Sequence, residues 1–304
     1  LRDGLSGGPL ESVGQLIPDD RWNDPEASAS SAILIPGLFA SADSMTRIRK
    51  ELSRSNIATA TFQYADQLPI ESVAAGLTKV LDQLQQEQPQ RTISLITHSL
   101  GGIVARTAIE SDPHSSLGVK RLIMIAPPNH GTALAKMSAT ELSDLIESLS
   151  GQRVDLSIIN ESIDGFIGDA KESLEPGSAL LTSLNLCPRA TGVEYTIIAG
   201  TGGPFHREWI ELPLLVSDLL LGSHADQQKA TAPLRRLVTT DEWMFGSGDG
   251  VVSLKSARLH RVGDFASFAF AHNDFGSQPL PPDRHEAVDR AIRLIVRRVK
   301  QTDN

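Results

Sequence analysis

The chain has 304 residues, 40% of them hydrophobic and 21% charged, with a formal net charge of −9. This composition is that of a globular protein with a sizeable core, and the acidic balance, with no basic stripe to offset it, argues against a nucleic-acid partner. Cys187 is the single cysteine, which excludes an intrachain disulfide and a cysteine-rich metal site, and no stretch approaches the ~20 apolar residues of a membrane span.

Residues 1–30 are rich in Gly, Ser, Pro and Asp without periodicity, and read as an N-terminal arm ahead of a single domain over 31–304. Residues 31–37 read as a buried strand running into a turn. Met45, Ile48 and Leu52 follow at helical spacing, and 57–62 is the next predicted strand. Ile70, Val73, Leu77, Val80, Leu81 and Leu84 form an apolar stripe, so a long amphipathic helix is predicted, ending near Pro89. A strand leading to Thr97 and His98, a helix from Leu100 and a strand over 119–126 come next, the last closed by Pro127 and Pro128. Two later strands, 195–200 and 265–270, and a terminal helix over 285–300 complete the series. Arg293, Arg297, Arg298 and Lys300 are assigned to the solvated face and last turn of that helix, where cations suit the helix dipole.

Apolar strands alternating with amphipathic helices predict an α/β protein with a mostly parallel sheet covered on both faces. Two stretches break the alternation, at about 131–190 and 203–247. The first holds helix-forming pieces such as 139–149 and no predicted strand; the second holds the nearly all-apolar run 209–221, interrupted by Asp218. Helical insertions of this kind make a cap or lid, or a buried helix.

The chemistry centres on Thr97-His98-Ser99-Leu100-Gly101-Gly102. A serine at the apex of a tight strand-to-helix turn is lifted out of both elements, where a substrate and a base can reach its hydroxyl together. The turn needs small neighbours; Gly101 supplies one, and Thr97 stands where a glycine is usual. A neutral serine needs a base to take its proton and a group to orient that base.

The nucleophile-elbow geometry resembles the G-x-S-x-G motif of α/β-hydrolases. Residues 33–41, the run Thr97 to Arg106, the segment Ala126-Pro127-Pro128-Asn129-His130-Gly131-Thr132 and Asp249-Gly250-Val251-Val252 together resemble lipase- and esterase-like members, including bacterial lipases and the GPI inositol-deacylase-like group. The resemblance implies an α/β-hydrolase fold and the chain order Ser, acid, His. Asp249, on a loop flanked by Gly248 and Gly250, is the expected acid, with Asp264 and Asp274 in reserve. His272, on the loop between the last strand and the last helix, is the expected base. His285 starts that helix, His260 precedes the strand, His130 is out of order, His206 and His224 lie in the insertion, and His98 adjoins the serine and points away from it if the turn is sharp.

The backbone N–H groups of Leu38 and Leu100 are the expected oxyanion donors. The family implies hydrolysis of carboxylic esters through an acyl-enzyme, and the apolar insertions point to an apolar acyl chain, as for an esterase or lipase. Acyl transfer and thioester or amide hydrolysis remain open on the same triad, as does a non-catalytic binding protein on a hydrolase fold. No cofactor and no metal are expected, since no acidic cluster has a convincing calcium-ligand spacing. The expected partner is a small-molecule or lipid ester, with room for transient contact at a lipid surface. Because the chain opens on Leu1 rather than methionine, an upstream segment is expected to have been removed, and a soluble protein, cytoplasmic or secreted, fits equally.

Overall fold

A computed structural model describes residues 13–23, 30–37, 42–65, 68–112, 117–136, 169–221, 235 and 239–301. Seven strands form one sheet: β1 (Gly14–Pro18), β2 (Ser30–Ile35), β3 (Ala58–Tyr64), β4 (Thr92–His98), β5 (Val119–Ile125), β6 (Glu194–Gly200) and β7 (Asp264–Phe268). Their spatial order is β1-β3-β2-β4-β5-β6-β7. All neighbours run parallel except β1, which pairs antiparallel with β3 from Gly14 opposite Tyr64 to Pro18 opposite Ala60.

β1 lies within the predicted arm. Its five residues are mostly exposed, so it carries no apolar alternation, and its pairing comes from β3 rather than from its own sequence. The remaining strands follow the predicted order. They are apolar on both faces because helices cover both. On β2, Ile33 and Ile35 face one layer while Ala32 and Leu34 face the other, as the two-residue period of a strand requires.

The first layer holds α2 (Ile70–Glu87) and α3 (Leu100–Glu110), the second α1 (Thr46–Arg54) and α8 (His285–Lys300). Among the described residues, four α-helices lie between α3 and α8: α4 (Asp169–Ser173), α5 (Ala179–Leu186), α6 (Arg207–Leu221) and α7 (Leu254–Ala257). The apolar stripe of α2 buries Ile70, Val73, Leu77, Leu81 and Leu84, each worth about 1.5–3 kcal/mol of transfer free energy. The predicted helical piece at 139–149 lies outside the described residues.

Packing of α1 against α8 brings together cations that are far apart in the chain. Arg47, Lys50 and Arg54 line one groove with Arg293, while Arg293, Arg297 and Lys300 line the next, with Glu51 shared and Asp289 nearby. A basic stripe thus exists that no local run of sequence displays. Among the described residues, no helix is long and apolar enough to cross a membrane.

Candidate functional site

Ser99 stands between the last residue of β4 and the first of α3, with φ 52° and ψ −126°. A non-glycine residue in this left-handed region is strained and persists only where its surroundings impose it. Here the Ser99 N–H donates to the Ile125 carbonyl at 2.9 Å, and the Ser99 carbonyl accepts the Gly102 N–H at 2.9 Å. Two glycines make the turn possible. A Cβ on Gly101 would sit 2.6 Å from the Pro36 carbonyl oxygen, and one on Gly37 would sit 2.9 Å from the Ser99 Cβ. Gly102 accounts for Thr97: a Cβ on Gly102 would lie 3.3 Å from the Thr97 Oγ1, so the extra bulk upstream is matched by missing bulk downstream.

Asp249 is buried, on the loop between α6 and α7. Its Oδ1 accepts the N–H groups of Val251 at 2.9 Å and Val252 at 2.8 Å. Its Oδ2 lies 2.8 Å from the Nδ1 of His272, and its carbonyl accepts the His272 N–H at 2.9 Å. Gly200, at the end of β6, leaves the room this needs, since a Cβ there would lie 2.5 Å from the Asp249 Cβ. The structure therefore brings Asp249 and His272 into direct contact although 23 residues separate them. His272 in turn lies against His98, the neighbour of Ser99, with ring centroids 4.6 Å apart.

The reserve candidates are engaged elsewhere. Asp264 holds Thr196 and Arg298, and the Arg298 hydrogen bonds keep its carboxyl below the ordinary carboxylate range. Asp274 caps the Ala271 N–H within the His272 loop, at 2.7 Å. His285 reaches the Leu280 carbonyl, and His130 meets Asn185. His260 is exposed, and His206 stacks between Trp209 and Phe245. His224 lies outside the described residues. Leu100 is the first residue of α3, a position whose N–H has no partner within its own helix. Leu38 lies outside the described residues, next to Gly37. Among the described residues, no group of three or more His, Cys, Asp or Glu side chains could hold a metal ion.

The sequence reading missed a buried polar node beneath the elbow. Arg106, on α3, has no exposed surface. Its guanidinium donates to Glu110, Asn129, Asn185 and the Leu184 carbonyl, and Arg189 grips both oxygens of Glu110 at 2.8 Å. Asn129 passes the connection on through its Nδ2 to the Ala257 carbonyl at 2.8 Å. Thr132 donates to the Val251 carbonyl and Ser256 to the Gly131 carbonyl. Loop 126–133 is thereby stitched to the segment carrying Asp249.

Beside the Asp249 loop rises α6. Its root is tied down where Phe205 donates to the Trp243 carbonyl at 3.1 Å and Gly203 to the Gly248 carbonyl at 2.8 Å. Ile210 and Leu214 are buried, whereas Trp209, Leu212 and Leu215 are 72%, 62% and 66% exposed. A groove of about 740 Å³ is lined by Leu212, Leu214, Leu215 and Thr239, with the charged Glu208, Glu211 and Arg235 along its sides.

A mostly parallel sheet with helices on both faces, a strand–serine–helix elbow, and an Asp–His pair delivered by later loops define the class: this is an α/β-hydrolase fold. The chain belongs to the family described as "Domain of unknown function (DUF7379)", whose model matches residues 71–227. No curated protein matches it in sequence. Among solved structures it is similar to the mature lipase BlEst2 of Bacillus licheniformis, with a TM-score of 0.60 and 16% identity over 95% of this chain and 99% of that one. The propeptide form of that lipase gives a TM-score of 0.62 and 17% identity over 98% of this chain and 55% of the other. Phospholipase PlaB from Legionella pneumophila gives 0.57 and 16% identity over 90% of this chain and 60% of its own length. At these identities the likeness is one of fold.

Proposed function

We propose that this chain is a serine hydrolase that cleaves carboxylic esters with apolar acyl chains through an acyl-enzyme. The observation that carries the reading is the buried 2.8 Å contact between His272 Nδ1 and Asp249 Oδ2, taken together with a serine held at positive φ in the turn from β4 to α3. Asp249 Oδ1 already accepts two backbone N–H groups, which marks the carboxyl as an acceptor. Nδ1 then carries the imidazole proton and Nε2 is left with its lone pair, the tautomer a general base needs. In this role His272 takes the Ser99 hydroxyl proton as Oγ attacks the acyl carbon, then returns it to the departing alcohol. Water, deprotonated by the same imidazole, releases the acid. The N–H groups of Leu100 and Leu38 are assigned to the oxyanion, where one lost donor costs on the order of a hundredfold or more in rate.

The apolar acyl chain is argued from α6, whose Leu212 and Leu215 stand exposed along a groove rooted beside the acid loop. Solved structures of like fold carry the names lipase and phospholipase, which is in keeping with this reading, and transient contact with a lipid surface fits the same exposed face. The test is hydrolysis of nitrophenyl esters from acetate to palmitate by wild type and Ser99→Ala, together with labelling by a serine-directed phosphonate. Loss of turnover and labelling in the variant is the expected result. A folded wild type that neither turns over esters nor takes the label would refute the serine mechanism; labelling without ester turnover would move the reading to thioesters, amides or acyl transfer.

A further inference from the structure

His98 ends β4, directly before Ser99, and is 5% exposed. Its Nε2 lies 2.8 Å from the main-chain oxygen of His272, 174 residues away in the chain. A carbonyl oxygen only accepts, so Nε2 carries the proton and donates it, and Nδ1 is the bare nitrogen. Among the described residues that Nδ1 has no hydrogen-bond partner, and it faces the Gly37 backbone, where an added Cβ would come within 3.4 Å. The same imidazole lies against the ring of His272, at 4.6 Å between centroids and 49° between planes.

The other bonds of the His272 loop run in different directions. His272 N–H and Nδ1 bond to Asp249, Ala271 N–H bonds to Asp274, and the Phe270 carbonyl accepts from Gly202 just past β6. They fix the base relative to the acid and to β6. The bond from His98 fixes it relative to the strand that ends at Ser99. Resting on the assignment of His272 as base, we propose that His98 is a positioning residue: its Nε2–H holds the His272 main-chain carbonyl and its ring backs the His272 imidazole, so that β4 sets where the base stands relative to the nucleophile.

The environment suits that task. Burial, followed by the nearness of His272, lowers the His98 pKa to about 3, so the ring stays neutral at any pH where His272 could act as a base. A cationic imidazole in contact with His272 would oppose protonation of the base during attack. A neutral donor holds the loop without that penalty.

The experiment compares His98→Phe with His98→Gln. Phenylalanine keeps the ring contact and loses the donor, whereas the Gln Nε2–H reaches the place of the histidine Nε2. Turnover of a nitrophenyl ester in His98→Phe should fall roughly 10–100-fold in kcat with KM within about twofold, the scale of a base displaced by a fraction of an ångström. His98→Gln should recover most of that loss, and phosphonate labelling of Ser99 should slow and recover in step. Full activity in His98→Phe, or a Gln variant as inactive as the Phe variant at equal melting temperature, overturns the proposal. Nitrogen-15 NMR of the wild type supplies an independent check should a variant not fold. The Nε2–H tautomer of His98 at pH 7 is expected, and an Nδ1–H tautomer or an imidazolium overturns it. An unreactive wild type is a separate outcome, since it removes the serine mechanism and this role with it.

Discussion

Replacing Arg106 by methionine isolates the polar node under the elbow. The methionine chain fills much of the arginine stem's volume but none of its donors, so Glu110, whose side chain is fully buried, keeps only Arg189 as a countercharge. Asn129, Asn185 and the Leu184 carbonyl each lose a donor as well. Breaking a buried ion pair from one side costs about 3–5 kcal/mol, and the remaining contact of the Arg189 Nη1 with both Glu110 oxygens places this case toward the lower end. Unfolding entropy of about 2.1 cal/mol/K per residue over 304 residues gives about 0.6 kcal/mol/K, so a loss of about 3–4 kcal/mol lowers the melting temperature by about 5–6 °C. Arg54→Met is the matched control: its ion pair with Glu51 joins side chains 74% and 40% exposed, and a pair of that kind contributes at most about 1 kcal/mol. Thermal unfolding followed by circular dichroism reads both variants. If Arg106→Met melts within a degree or so of Arg54→Met, the account of the node as a buried, mutually dependent network is wrong.

Asp249→Asn should lower kcat by about 10⁴-fold, the scale seen when the orienting carboxylate of a serine triad is replaced by its amide, while the melting temperature stays close to wild type because Asn retains an acceptor for Val251 and Val252; steady-state kinetics beside a melting curve checks both halves. Arg298 lowers the pKa of Asp264 through paired hydrogen bonds of 2.6 and 2.7 Å, so the stabilisation from that pair is present above the unfolded aspartate pKa of about 3.9 and is lost as pH falls through the lower folded value. Arg298→Gln should therefore show a shallower drop in melting temperature between pH 5 and 3, as roughly bracketed by those values, and parallel curves would contradict it. Serine at Leu212 and Leu215, both exposed, should change stability by no more than about 0.5 kcal/mol while impairing palmitate esters more than acetate; equal effects on the two esters would mark these leucines as structural rather than part of an acyl-binding lid.

What could be read from the sequence was local. The elbow is a short-range object in which strand, small-residue turn and helix occupy one continuous run, so Ser99 could be placed from its neighbours alone. The strands β2 to β6 were legible because burial on both faces leaves runs of apolar and small residues, and β7, only partly buried, because Phe265 and Phe268 mark it. β1 was not, since Gly14 to Pro18 is exposed on most positions and owes its conformation to β3. Nothing local marks Arg106 as buried: Asn185 bonds it and Arg189 bonds Glu110, each from 79 residues away, and the one hint is that α3 is otherwise small or apolar apart from Thr107 and Glu110. The basic groove between α1 and α8 was hidden for the same reason, because its two halves lie at opposite ends of the chain. His98 was expected to matter little, and nothing nearby in the sequence announces its contact with His272.

The strand order also bears on how little of the chain can be removed. The segment recognised by the family model, 71–227, contains Ser99 but neither Asp249 nor His272. It starts after β2 and β3 and stops short of β7. Cut out as a fragment, it would leave β4, a central strand with apolar residues on both faces, as a raw edge with its backbone donors and acceptors open to any passing chain. Such a fragment should aggregate rather than fold, and its serine would lack the proposed base. The shortest stretch that keeps every described strand paired and retains both residues proposed to act with Ser99 runs from Gly14 to Lys300. Recognisable likeness and physical autonomy therefore have different boundaries in this protein, and only the second is a guide to where it can be trimmed, fused or transplanted.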